Sequence, residues 1–189
     1  VNRLPNGNQL ADVQEVCLDP CDRIECNINM PKARPDDMLQ KNALQDFSLA
    51  MKDGSRLTAS SLCGEGLTAM LAFLQPGSEP TEHFLNELRE SGLVFERSIE
   101  LALIIRDWSE LDDPTLKRFL SVYPKARIFR DSFEENLNIL ARDMFLDPDS
   151  LPVVVLAVPP LTGVYGYCGY TVGGVDMAIK LSRLIIDGQ

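Results

Sequence analysis

Hydrophobic residues recur along this chain in two alternating rhythms. Residues 69–74, 101–105, 126–129 and 153–158 are short, nearly continuous apolar runs, which have the length and texture of strands buried on both faces. Between them the apolar positions fall three and four apart. Phe84, Leu85 and Leu88 form a stripe in the first interval; Leu116, Phe119, Leu120 and Tyr123 form one in the second; Phe133, Leu137, Leu140 and Met144 form one in the third. That spacing puts one apolar face on each segment and predicts amphipathic helices laid over a sheet. Upstream, Phe47-Ser48-Leu49-Ala50-Met51 alternates as a strand does, and Asp53-Gly54 supplies a tight turn able to take positive φ. Downstream, the run 153–158 is followed after only Pro159-Pro160-Leu161-Thr162 by a second strand-like run over 163–171. A connection this short permits only an antiparallel hairpin. A closing helix is predicted over 174–186, with Val175, Ala178, Ile179, Ile185 and Ile186 on its inner side.

The order strand, helix, strand, helix, strand, helix, hairpin, helix predicts an α/β fold with a mixed central sheet and helices on both faces. Residues 1–45 are rich in Asn, Asp and Pro and read as an N-terminal extension or interdomain segment, leaving 46–189 as the folded domain. The chain begins at Val1 with neither a Met nor a charged lead into an apolar stretch, so it is expected to be a piece of something longer. Composition narrows the functions. At 189 residues, 45% hydrophobic and 24% charged, the chain has material for one full core. Its formal charge of -10 repels a phosphate backbone, which argues against nucleic-acid binding. No apolar run approaches the ~20 residues that span a bilayer.

Two local sequences carry more. After the run 69–74 the chain reads Gln75-Pro76-Gly77-Ser78-Glu79-Pro80-Thr81, and before the run 153–158 it reads Leu151-Pro152. With the element order, the Asp53-Gly54 turn and the link Ser60-Ser61-Leu62-Cys63-Gly64, these resemble the thioredoxin superfamily, in particular its peroxiredoxin and periplasmic thiol-disulfide oxidoreductase branches. The resemblance runs from Phe47 to the C-terminus. It implies a thioredoxin-like fold in which Ser78 and Thr81 stand at the two positions of a Cys-x-x-Cys motif, Pro80 is the shared proline, and Leu151-Pro152 is the cis-proline step beside that loop. Gly163, Gly166 and Gly169 fit the small residues common after that step. It also implies an exported, periplasmic or cell-envelope location. Residues 1–20, with Asn2-Arg3-Leu4-Pro5-Asn6-Gly7 and Leu10-Ala11, are similar to the junction region of bacterial transglutaminase-like proteins. That likeness implies a catalytic domain upstream and an accessory role for this one.

The residues themselves argue against the parent chemistry. Disulfide exchange needs a thiolate, made by placing Cys at a helix N-terminus where the local field lowers its pKa, and a serine hydroxyl there stays a hydroxyl. Ser78 reads instead as an N-cap whose oxygen accepts from first-turn N–H groups, with Glu79 at the positive end of the helix dipole. The leading expectation is a redox-inactive module that contacts a peptide or a neighbouring domain through Ser78, Glu79, Pro80, Thr81, Leu151 and Pro152, with no cofactor. The alternative is a thiol-disulfide oxidoreductase or peroxidase using Cys63 or Cys168. His83, the sole histidine, lies about 140° around a helix from Ser78 and shares no face with it; it reads as an exposed structural residue. Glu79 and Glu82 read as a solvated acidic helix start. Cys17, Cys21 and Cys26 lack zinc-site spacing, and a disulfide among them is expected if the protein is exported. Cys63 and Cys168 read as small apolar residues near the sheet, and Trp108 as packing at a sheet end.

Overall fold

The computed structural model describes residues 39–92, 99–132 and 134–187. The chain divides between Ala33 and Arg34 into two units, and the second is the one described. Cys17, Cys21, Cys26 and the transglutaminase-like junction lie outside the described residues. In chain order the elements are β1 (Asn42–Ala43), β2 (Ser48–Ala50), β3 (Arg56–Thr58), α1 (Ala59–Leu62), β4 (Thr68–Phe73), α2 (Glu79–Ser91), β5 (Ile99–Ile105), α3 (Pro114–Val122), β6 (Arg127–Arg130), α4 (Glu135–Met144), β7 (Val153–Val158), β8 (Thr162–Cys168) and α5 (Gly174–Asp187).

They build one eight-stranded mixed sheet in the order β1-β8-β7-β4-β5-β6-β2-β3. β4 is central, and all six of its residues are buried. It runs parallel to β5 and antiparallel to β7. Because successive side chains of a strand point to opposite faces, β4 serves two cores at once. Met70 and Ala72 pack with Phe84, Leu88, Phe119 and Ile179, from α2, α3 and α5. Leu71 and Phe73 pack with Leu62, Leu137 and Leu140, from α1 and α4. That double burial is why the apolar runs are continuous while the helices carry single stripes.

Local chemistry sets the ends. α2 opens on Ser78, carries Pro80 in its first turn and stops at Gly92, whose φ of 71° is the left-handed conformation that ends a helix. The Asp113 carboxylate accepts from the Leu116 N–H at 2.8 Å and starts α3 ahead of Pro114. At the hairpin of β7 and β8, a Cβ on Gly163 would lie 2.3 Å from Met144 Sδ, so glycine there is what lets α4 pack against the sheet. The sheet also takes in residues assigned from sequence to the extension. Asn42 and Ala43 pair with Gly163 and Thr162 of β8, and the Gln40 N–H donates to the Val164 carbonyl at 2.6 Å. A two-residue strand is too short for a hydrophobic rhythm to reveal it.

Candidate functional site

β4 delivers the chain into a tight loop at its carboxyl end. The Leu74 N–H still bonds to the Ile104 carbonyl of β5 at 2.8 Å, holding the exit in register. Gly77 then takes φ 82°, closing a turn in which the Ser78 N–H donates to the Gln75 carbonyl at 3.1 Å. The same carbonyl accepts from the Ser78 hydroxyl at 2.7 Å. The Gln75 N–H in turn donates to Thr81 Oγ1 at 3.1 Å, and Thr81 is fully buried. Both hydroxyls of the Ser78-Glu79-Pro80-Thr81 sequence are thus tied to the backbone of one residue. This corrects the expectation for Ser78. It occupies the N-cap position, yet its side chain makes no capping bond, because the turn at Gly77 brings the Gln75 carbonyl within reach and the hydroxyl donates there instead of accepting from the helix.

Across from the loop stands the segment before β7. The Leu151-Pro152 bond is cis. Val153, next in sequence, pairs with Phe73 at the end of β4 and on its other side with Cys168 at the end of β8. The Gly169 N–H donates to the Ser150 carbonyl at 2.7 Å and to the Pro152 carbonyl at 3.0 Å, which anchors the segment from the β8 side. Leu151 meets the loop at Gln75 and Pro76, where all three line a cavity of about 150 Å³ at the carboxyl ends of β4 and β5.

The cavity wall brings in charged groups that sequence reading passed over. Arg106, Glu110, Asp131 and Glu134 all line it. Arg106 and Glu134 form an ion pair, and the Arg106 N–H donates to Glu110 Oε2 at 3.0 Å. Asp131 is buried at 8% exposure, and its carboxylate accepts from the Leu137 N–H at 3.0 Å and from Asn136 Nδ2 at 3.2 Å. Burial raises its pKa, and these hydrogen bonds, which favour the charged form, only partly oppose that. Glu134 holds φ 56°, a left-handed conformation costly for a residue with a Cβ. Arg106 directly follows the run 101–105 and Asp131 lies two residues after the run 126–129, at strand ends where an α/β sheet delivers functional groups, but nothing in the sequence says that these two ends share a cavity.

The two described cysteines are both free thiols, one capping a helix and one ending a strand. Cys63, at the end of α1, is fully buried, and burial pushes its thiol up to about 11. It lies by Ala69, which pairs with Ala157 of β7, whereas Cys168 pairs with Val153. Four residues of strand separate those pairings, on the order of 13 Å at ~3.3 Å per residue, beyond the reach of a disulfide. Cys63 has the apolar surroundings expected of it, and Cys168 packs half-buried against the same core. His83 is exposed, pairs with Glu79 at 3.5 Å and stacks on Tyr170 with ring centroids 4.7 Å apart. Trp108 packs against the core and carries the Arg130 guanidinium 5.6 Å from its ring centroid. Among the described residues no helix is long and apolar enough to cross a membrane.

No protein-family model and no curated protein matches the chain. Solved structures do. It is similar to the thiol:disulfide interchange protein DsbE of Chlorobium tepidum, at 14% identity and TM-score 0.57 over 78% of this chain and 99% of that one. It is similar to the peroxidoxin BcpB of Mycobacterium tuberculosis, at 14% identity and TM-score 0.57 over 78% and 98%. It is also similar to BsSco, of the Sco family of cytochrome c oxidase assembly proteins, at 15% identity and TM-score 0.55 over 80% and 97%. With its mixed sheet, its helices on both faces and its cis-proline step, the chain has the thioredoxin-like fold.

Proposed function

We propose that this domain is a redox-inactive binding module: the Ser78 to Thr81 loop and the facing Leu151-Pro152 segment contact an extended peptide or a neighbouring protein domain and carry out no disulfide exchange. The observation that carries the reading is the bonding of the loop. A thiol pair at the start of α2 would work through its freedom to ionise and be attacked; here the groups at those positions are hydroxyls, one fully buried, both bonded to Gln75. Cys63, with its thiol pushed up to about 11 by burial, is held almost wholly protonated near neutral pH. What is left at this end of the sheet is shape and polarity: a cavity beside an anchored loop, with backbone and side-chain groups converging on it. The likeness to periplasmic oxidoreductases supports an envelope location, and the junction-like residues 1–20 support an accessory role beside a catalytic domain.

The test is insulin reduction with dithiothreitol as electron donor, run beside an array of immobilised peptides probed with the whole chain. The expected result is no reduction above the uncatalysed rate, together with peptide binding that Ser78→Arg weakens at least tenfold. Turnover above background, lost in Cys63→Ala or Cys168→Ala, would overturn the reading in favour of an enzyme working through that cysteine.

A further inference from the structure

The cavity beside the loop has an apolar floor and an acidic rim. Phe73, Ile104 and Leu137 lie beneath it, contributed by β4, β5 and α4, and Leu151 closes one side. At about 150 Å³ it is smaller than the ~300–1,000 Å³ of sites that enclose whole small ligands. Given that a water occupies roughly 30 Å³ of liquid, it holds several waters, or one long side chain. Its charges do not balance. Three carboxylates, Glu110, Asp131 and Glu134, face one cation, Arg106.

The engagement of each group narrows the chemistry. Arg106 is already paired with Glu134, so it has no spare charge for an anionic guest. Asp131 is committed to the start of α4 through the Leu137 N–H and Asn136. Glu110 accepts through Oε2 from the Arg106 N–H, and among the described residues no cation neutralises it. A guest with an apolar stem and a cationic head satisfies both parts of the site, the stem on the floor and the head against Glu110, the carboxylate that the Arg106–Glu134 pair leaves unneutralised. Lysine and arginine have that construction. A neutral guest leaves the carboxylates unneutralised, and an anionic one is repelled by them.

We infer that the cavity is a specificity pocket for a lysine or arginine side chain of the bound peptide. This rests on the reading of the loop as a peptide-contacting surface, and it adds which peptides are chosen. The charge of the chain, -10 overall, steers cationic segments toward it in the same sense.

The experiment uses four capped single-residue probes, N-acetyl-N'-methylamides of arginine, lysine, norleucine and glutamate, titrated into the ¹⁵N-labelled whole chain. Saturable shifts at the amides of Arg106, Leu137 and Leu151 are expected for arginine and lysine, with norleucine at least tenfold weaker and glutamate without effect. Glu110→Gln and Glu134→Gln each weaken arginine binding several-fold, while Glu90→Gln, at the far end of α2, leaves it unchanged. Using two rim variants guards against one that disturbs the Arg106 pair. Norleucine binding as well as arginine makes the site an apolar notch, glutamate binding best makes it an anion site, and no saturable shift with any probe leaves the cavity unused; each overturns the inference. If the peptide array still gives ligands that Ser78→Arg weakens, the binding reading stands and only the pocket falls. If the probes bind while the array gives nothing, the pocket stands and the larger reading falls.

Discussion

The loop that starts α2 and the turn that ends α1 each hold half of what a reactive cysteine needs. At Ser78 the chain has the position: a half-exposed residue opening a thirteen-residue helix, where unpaired N–H groups and the dipole stabilise an anion. At Cys63 it has the atom, sunk among Leu62, Leu71 and Ala157 with no exposure. Burial pushes that thiol from an ordinary 9.0 to about 11, so at neutral pH its thiolate is about a hundredfold rarer than that of a free cysteine. A thioredoxin-like fold is thus not in itself a redox device. The scaffold presents a site, and what stands on it decides between chemistry and contact.

The largest effect expected from this contrast comes from uniting the two halves. Ser78→Cys with Thr81→Cys places two thiols at the start of α2, close enough for the ~4.4–6.8 Å Cα separation of a disulfide. Mild oxidation is expected to remove two thiols, located by peptide mapping, and insulin reduction to rise from background to a measurable rate. The rate stays modest, because Glu79 and Glu82 in the first turn repel a thiolate and the burial of position 81 opposes a second one. Two thiols that persist through oxidation in a folded double variant would show that the loop is no remnant of a redox motif.

Smaller, and on the opposite side of the contrast, is the protection of Cys63. Maleimide labelling of the native chain, followed by peptide mapping, is expected to modify Cys168 well before Cys63 and to leave Cys63 at least about a thousandfold slower than in denaturant, since reaching it requires opening of the core. Comparable native rates for the two would mean that Cys63 is accessible, and the enzyme alternative would regain Cys63 as a candidate beside Cys168.

Much of this was legible in the sequence, because burial writes itself as periodicity. The doubly buried strands read as unbroken apolar runs, and Leu116, Phe119 and Leu137, Leu140, Met144 mark the inner faces of α3 and α4. The cis step at Leu151-Pro152 followed from the resemblance and not from the residues, since X-Pro bonds are cis in only ~5–6% of cases. Two things were hidden. The direction of the Ser78 hydroxyl depends on where the turn at Gly77 leaves the Gln75 carbonyl, a fact of backbone conformation. The charged cavity is assembled from Arg106, Glu110, Asp131 and Glu134, which come from two crossovers, and meets Leu151 across the sheet; no local pattern joins residues that only the strand order brings together.

A third way to sharpen the contrast separates the two hydroxyls of the loop. Thr81→Val keeps the shape and removes the acceptor of the Gln75 N–H, leaving a part-buried donor unpaired, at an expected cost of about 1–3 kcal/mol. Ser78→Ala removes a solvated bond to a carbonyl that also accepts from the Ser78 N–H. Its expected cost is under about 0.5 kcal/mol, as for an ordinary surface change, and below the ~1 kcal/mol typical of a lost side-chain cap. Urea denaturation of the two variants reads the difference. A Ser78→Ala cost equal to that of Thr81→Val would restore Ser78 as a true cap.

The smallest expected effect concerns Asp131, which is buried as Cys63 is, but with hydrogen bonds to hold its charge. Its pKa is raised above the ordinary 3.8, by burial first, while the Leu137 and Asn136 hydrogen bonds pull the other way. The sign follows from linkage. Between the unfolded value near 3.8 and the higher folded value, the folded chain binds more protons than the unfolded one, so this group's contribution to stability falls as pH rises through that window and is flat above it. Exposed carboxylates such as Asp53 and Asp147, whose pKa values are lowered by hydrogen bonds from Ser55 and Ser150, slope the opposite way at low pH. The useful quantity is therefore the difference between the parent and Asp131→Asn, which keeps the shape and cannot ionise. Urea midpoints from pH 3 to pH 8 are expected to show the parent losing stability relative to the variant from about pH 4 upward, then a constant offset. At neutral pH that offset is small, because Asn removes a desolvated charge but also gives up one acceptor at the start of α4, two effects of opposite sign. Parallel curves throughout would mean that the Leu137 and Asn136 hydrogen bonds cancel the burial of Asp131, and that this end of the sheet tolerates a buried charge as Cys63 does not.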